Sequence, residues 1–246
     1  MVCLACGMTS SPPSREHVFS KWLLSEFGPD LSVGLFRQLG DGSREPHRAE
    51  IRLDSFRLKK ICERCNTGWM SQLEEETKPI ILGIIRGARN LNSLSDEERR
   101  TLARWAGKTA IVESHAVGAE CPVDSVHFNG IRTNKDGFPG RFGAVVCRTK
   151  LVGFGHMQVG VIRDLIGGGK ASGNIIAIAL PALVFVCAFP MLEIPYKCGC
   201  VPSLTPLWPR PSAWYSLEEA ANTDVADELE ELTRIVEGVE LFHPFR

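Results

Sequence analysis

Two short cysteine pairs carry the first chemical signal in this chain. Cys3-x-x-Cys6 opens the sequence, and Cys62-x-x-Cys65 follows after 55 intervening residues. A two-residue spacer lets both sulfurs of a pair reach one tetrahedral ion. Two pairs together supply the four thiolates of a closed zinc site, which stabilises folding and leaves no coordination position open for catalysis. Gly7 follows the second ligand and permits the tight turn there. Of the nine cysteines in the chain, Cys147 and Cys187 lie in apolar strand-like stretches and read as small hydrophobes. Cys198-Gly199-Cys200 reads as a turn. An odd cysteine total in a chain of this length argues against a disulfide framework and fits a cytoplasmic setting.

The residues between and after the pairs add titratable groups. Glu16-His17 sets a carboxylate beside an imidazole. Neighbours on a strand point to opposite faces, so the two serve different partners. Asn66 follows Cys65 directly and begins a helix through Met70, Leu73 and Glu74 to Lys78, which Pro79 stops or kinks. A zinc ion would thus pin Asn66 opposite Glu16 and His17. Each residue also has a structural reading: His17 packing beside Trp22, Glu16 capping a helix over 18–27, and Asn66 capping the helix after the second pair.

In this order, Cys3-x-x-Cys6, Glu16-His17-Val18-Phe19-Ser20-Lys21-Trp22-Leu23 and Cys62-x-x-Cys65-Asn66-Thr67-Gly68-Trp69-Met70 resemble the zinc-pinned branch of the HNH endonucleases, the ββα-metal nucleases. The resemblance covers about residues 1–80. It implies a metal-dependent DNA endonuclease that hydrolyses phosphodiester bonds by a single-metal mechanism. His17 takes the place of the general base, and its ordinary pKa of about 6.5 suits that role at neutral pH. Glu16 and Asn66 take the places of the ligands to one Mg2+ or Mn2+ ion, which would stabilise charge on the phosphate and leaving oxygen. Cys3, Cys6, Cys62 and Cys65 take the structural Zn2+. The family's orienting asparagine has no counterpart: its place falls near Arg57, and no asparagine lies between His17 and Asn66. That departure keeps open a second reading, a non-catalytic zinc module that binds nucleic acid or a protein.

Basic residues cluster around the motif. Arg15, Lys21, Arg48, Arg52, Arg57, Lys59 and Lys60 are the expected contacts to double-stranded DNA, flanking the cleft and gripping phosphates. Trp69 is expected in the core beneath the helix rather than stacked on a base.

Positioning these groups requires an α+β fold. The expectation is an N-terminal ββα-metal, treble-clef-like zinc module over 1–80, with strands at 47–53 and 55–61 leading into the motif helix. Residues 81–246 follow as an α+β region of helices and a mainly antiparallel sheet. Ser95 and Glu98 form a capping-box pair ahead of a helix over 96–112. Strands are expected at 142–146, 153–162, 174–180 and 182–189, separated by turns such as Gly167-Gly168-Gly169. Gly167-Gly168-Gly169-Lys170 lacks the full pattern of a phosphate-binding loop. The segment 216–240 reads as an acidic amphipathic helix, and residues 81–246 offer surface for a second copy or a regulatory protein.

The chain of 246 residues carries a formal net charge of -1, which by itself argues against bulk electrostatic coating of nucleic acid. The average hides an asymmetry. Segment 216–240 holds nine acids and one base, a net of -8, so the other residues sum to +7. No basic-then-apolar leader is present. The most apolar run, 175–189, is broken by Pro181 and is shorter than the roughly 20 residues a membrane helix needs, so no membrane partner is expected.

Overall fold

In a computed structural model, the structure describes residues 1–9, 12–28, 31–38, 44–118, 123, 125–133, 142–148, 154–164, 170–189 and 205–208. Cys121, the 167–169 turn, Cys198-Gly199-Cys200 and the acidic segment 216–240 lie outside them.

Two sheets organise the chain. The smaller pairs β1 (Pro13–His17) with β4 (Arg57–Cys62), antiparallel, with Ser14 opposite Ile61, Glu16 opposite Leu58 and His17 opposite Arg57. Between these strands the chain forms α1 (Lys21–Phe27), β2 (Ser32–Gln38) and β3 (Arg44–Arg52). Strands β2 and β3 join a second, seven-stranded sheet with β5 (Gly143–Arg148), β6 (Phe154–Asp164), β7 (Lys170–Leu180), β8 (Leu183–Phe189) and β9 (Thr205–Trp208). Its order is β3-β2-β6-β7-β8-β5-β9, and every pairing is antiparallel except β2 with β6.

The strand at 55–61 is present as β4 and the one at 47–53 as β3, but they enter different sheets. Leu53 and Phe56 between them are buried, at 0% and 3% exposure, and the Leu53 amide donates to Leu31 O at 2.8 Å. Anchoring that turn in the core sends the two strands apart. The helix expected from residue 18 begins only at Lys21, because the Val18 amide donates to Phe56 O at 3.0 Å and Ser20 is extended.

After β4, a one-turn helix α2 (Glu63–Cys65) and a wide turn at Asn66–Met70, kinked at Gly68, lead into α3 (Ser71–Ile85). Helix α3 runs through Pro79 instead of stopping there. Pro79 is exposed, while Leu73, Thr77, Ile80, Ile81 and Ile84 are buried; burial of that face outweighs the loss of one backbone hydrogen bond.

Helix α4 (Asp96–Ala116) is the centre of the molecule. Its capping box forms as the sequence predicts: Ser95 Oγ accepts from the Glu98 amide at 3.2 Å, and Glu98 Oε2 accepts from the Ser95 amide at 2.9 Å. Every residue from Leu102 to Ser114 is buried, because α3, α5 (Ser125–Thr133), β4 and the large sheet all pack around it. Gly107 permits the closest approach: a Cβ there would fall 2.7 Å from Ile131 Cδ1 and 2.9 Å from Phe142 Cζ. One hydrophobic cluster runs from Cys3 to Leu207, and the residue 80 boundary falls inside α3.

Candidate zinc centre and basic strand face

The four paired cysteines converge. The Sγ atoms of Cys3, Cys6, Cys62 and Cys65 all lie within 4.8 Å of one another, the one such cluster of potential ligands among the described residues. Cys6 Sγ and Cys62 Sγ stand 3.8 Å apart. That is far too long for a disulfide and equals the edge of a tetrahedron whose metal–sulfur bonds are about 2.3 Å. The first pair sits on a turn closed by the Gly7 amide on Cys3 O at 2.8 Å, with Gly7 at φ 70°. The turn docks on β4 through the Leu4 amide, which donates to Lys60 O at 2.9 Å. Cys62 ends β4 and Cys65 closes α2, so one ion would tie the turn, the strand and the start of the helix together.

Burial raises the Cys3 and Cys65 thiols. Burial also acts to raise Cys62, but the Cys65 amide and the neighbouring thiols outweigh it and bring Cys62 down to about 7. The Trp69 indole Nε1 is buried and belongs to a side chain beside Cys65, where a thiolate would accept a hydrogen bond from it. Trp69 otherwise packs edge-on against Phe128, with ring centroids 5.8 Å apart. The donor set therefore fits a structural metal such as zinc.

No protein-family model matches the chain, and no curated protein or solved structure matches it either.

Glu16 and His17 divide as strand alternation requires. Glu16 faces inward at 7% exposure. Its Oε1 lies 3.8 Å from Nζ of Lys108 on α4, itself fully buried. The same ammonium bonds Glu74 Oε1, while Glu74 Oε2 accepts from Ser20 Oγ and, at 2.9 Å each, from the indoles of Trp22 and Trp105. Burial raises the Glu16 carboxyl; Lys108 opposes this and Glu74 adds to it, leaving the group at about 7. For Glu74 the Lys108 charge and four donors overcome burial and hold it below the usual carboxylate range. The two carboxylates in turn raise Lys108 against its burial.

His17 faces the other way and is half-buried. Burial, then the charges of Arg57 and Lys21, lower its pKa, with Asp54 acting against them, so the imidazole is neutral at pH 7. Asn66 is half-buried at the turn after Cys65, and its Nδ2 donates to Ser14 Oγ at 3.0 Å. Asn66 and Glu16 thus each engage a protein group.

The residues present do not fit a divalent ion on Glu16. Mg2+ retains several waters and needs open space, whereas Glu16 is enclosed and already faces an ammonium.

Arg15, Lys21, Arg57, Lys59 and Lys60 are all exposed, and all but Lys21 lie on β1 or β4. Arg57 sits directly across from His17 and is braced by its Nε, which donates to Asp54 O at 2.8 Å. Arg48 and Arg52 are on β3 of the other sheet, with Arg52 paired to Asp54 at 3.2 Å. The expected basic contacts are therefore split between the two sheets and helix α1.

Sequence reasoning passed over Glu74 and Lys108. Glu74-Glu75-Glu76 resembles a solvated acidic run. A signal for Lys108 was present: it follows Trp105 by three residues, on the apolar stripe of α4.

Among the described residues no helix is long and apolar enough to cross a membrane.

Proposed function

We propose that this chain is a zinc-pinned nucleic-acid-processing protein of the ββα-metal kind that hydrolyses phosphodiester bonds in DNA with His17 as general base. The order of cysteine turn, β1–β4 pair and helix α3 supports the ββα-metal, treble-clef-like reading. The observation that carries the activity is His17 itself: a neutral, half-exposed imidazole at the end of β1, opposite Arg57 and flanked by exposed cations. The cations hold the phosphate backbone and steer it to the strand face. Arg57 and Lys21, whose charges add to burial in lowering the His17 pKa, are also placed to hold non-bridging phosphate oxygens. His17 then takes a proton from water as the water oxygen bonds to phosphorus. The bond to the leaving oxygen breaks, and that oxygen collects a proton from solvent.

His17→Ala tests this reading. A positioned general base contributes roughly 10²–10⁴ in rate, so plasmid nicking falls by that factor while DNA affinity and the circular dichroism spectrum are retained. Equal nicking by the variant removes His17 as base.

The engagement of Glu16 by Lys108 and of Asn66 by Ser14 favours a second reading, binding without cleavage. Under it, charge reversal at Lys59 and Lys60 abolishes DNA binding, and no preparation nicks plasmid.

A further inference from the structure

The inner face of β1 carries an arrangement that departs from the resemblance. We propose that Lys108 is the resident cation of Glu16. Its buried ammonium holds the place of a divalent ion, so the chain engages nucleic acid without divalent metal.

Three features of the structure support this. Lys108 is fully buried and lies against two carboxylates, Glu16 on β1 and Glu74 on α3, so it makes the bridge a divalent cation would make. Glu16 is enclosed, with no room for the waters Mg2+ keeps. A second cation on Glu16 would also sit close to the ammonium and be repelled by it. Asn66, the other expected ligand, is drawn to Ser14.

The lysine comes from helix α4, outside the stretch that carries the resemblance. The first 80 residues alone would therefore leave Glu16 and Glu74 facing each other without the buried ammonium between them, with the Lys21 charge acting on Glu16. Tied to Lys108 on one face of β1, Glu16 fixes the strand that presents His17 on the other. This inference rests on the proposed function for its bearing on nucleic acid, but the state of Glu16 is measurable without any nucleic acid.

The test uses the full, zinc-loaded chain in buffer cleared of other metals. Mn2+ is titrated in, and the unbound ion is followed by electron paramagnetic resonance. The expected result is that the natural chain and Glu16→Gln leave the Mn2+ signal equally free. Lys108→Ala removes both the charge and the side chain that fills the space beside Glu16; folded by circular dichroism, it is expected to gain at least tenfold in Mn2+ affinity, a gain lost when Glu16→Gln is added. An ion bound by the natural chain and released by Glu16→Gln overturns the proposal, as does a folded Lys108→Ala that binds Mn2+ no better than the natural chain. If Lys108→Ala does not fold, the comparison of the natural chain with Glu16→Gln decides alone. A parallel DNA-binding measurement with and without Mg2+ separates the two ideas. Absence of binding in both ends the proposed function and leaves the Mn2+ result standing, while binding only with Mg2+ ends the claim of metal independence.

Discussion

Trp105 Nε1 donates to Glu74 Oε2 at 2.9 Å across the contact between helices α4 and α3. Glu74 lies one helix beyond the cysteine cluster, and Trp105 lies at the heart of the sheet-packed core, edge-on to Phe185 at 5.3 Å. The bond ties the cysteine-bearing segment to the helix around which the rest of the described chain packs. Removing either partner strikes at that join.

Glu74→Ala is expected to destabilise the protein by about 3–5 kcal/mol, because it takes from the buried Lys108 ammonium the carboxylate that bonds it and orphans the other donors that Glu74 satisfied. Trp105→Phe keeps an aromatic ring but loses the volume of the fused pyrrole and one hydrogen bond to a charged group; the hydrogen bond alone costs about 1.5–3 kcal/mol, and the cavity adds to it. Urea unfolding of both variants gives the ranking. A Glu74→Ala protein as stable as the parent contradicts the buried ion pair.

Metal content follows from the sulfur geometry. Elemental analysis of the purified chain is expected to find one zinc bound through Cys3, Cys6, Cys62 and Cys65. A strong chelator is expected to lower the melting temperature, since metal binding free energy is folding free energy in such sites. Trp69→Phe, which deletes the indole donor beside Cys65, is expected to speed zinc loss to chelator without changing the stoichiometry.

The pH dependence of stability has a definite sign at Glu16. Its pKa rises from 4.5 to about 7 on folding. The native state therefore holds a proton that the unfolded chain gives up between those values. The stabilisation is complete below about 4.5 and is lost as pH rises through 7, on the order of 3 kcal/mol. His17, lowered on folding, acts in the opposite sense: its contribution is lost as pH falls below its ordinary value near 6.5. Glu16→Gln removes only the first effect. Denaturation midpoints of the two proteins are expected to diverge between pH 5 and 8, with Glu16→Gln gaining relative to the parent as pH rises. Parallel curves contradict the buried carboxyl.

Binding to DNA is expected to respond to the β1–β4 cations and not to those on β3. Lys59→Glu with Lys60→Glu weakens affinity at all sequences and reduces the steepness of its salt dependence by about one for each phosphate the protein no longer neutralises. Arg52→Glu serves as the contrast, since Arg52 belongs to the other sheet and is already paired with Asp54. Fluorescence anisotropy over a salt series reads both. Equal losses from the two substitutions would remove the β1–β4 face as the specific contact surface.

The sequence by itself determined the features that follow from local rules. The Cys-x-x-Cys spacing named the four residues that cluster, because a two-residue turn is short enough to fix the direction of its sulfurs. Ser95 and Glu98 announced the start of α4, because a capping box closes within one turn. The alternation of Glu16 and His17 on opposite faces was readable from strand geometry alone. The four strands between 142 and 189 were legible as apolar, β-branched runs.

Only the tertiary structure decided which strands pair and what Glu16 faces. Strands β3 and β4 are neighbours in sequence, yet burial of Leu53 and Phe56 sends them to different sheets. Pro79 marks a helix break by local rules, and the packed face of α3 overrides it. Lys108 reads as one polar residue in an apolar helix until packing brings it to Glu16 and Glu74. Ion pairing between distant segments depends on how helices and sheets stack, and sequence spacing carries no measure of that distance.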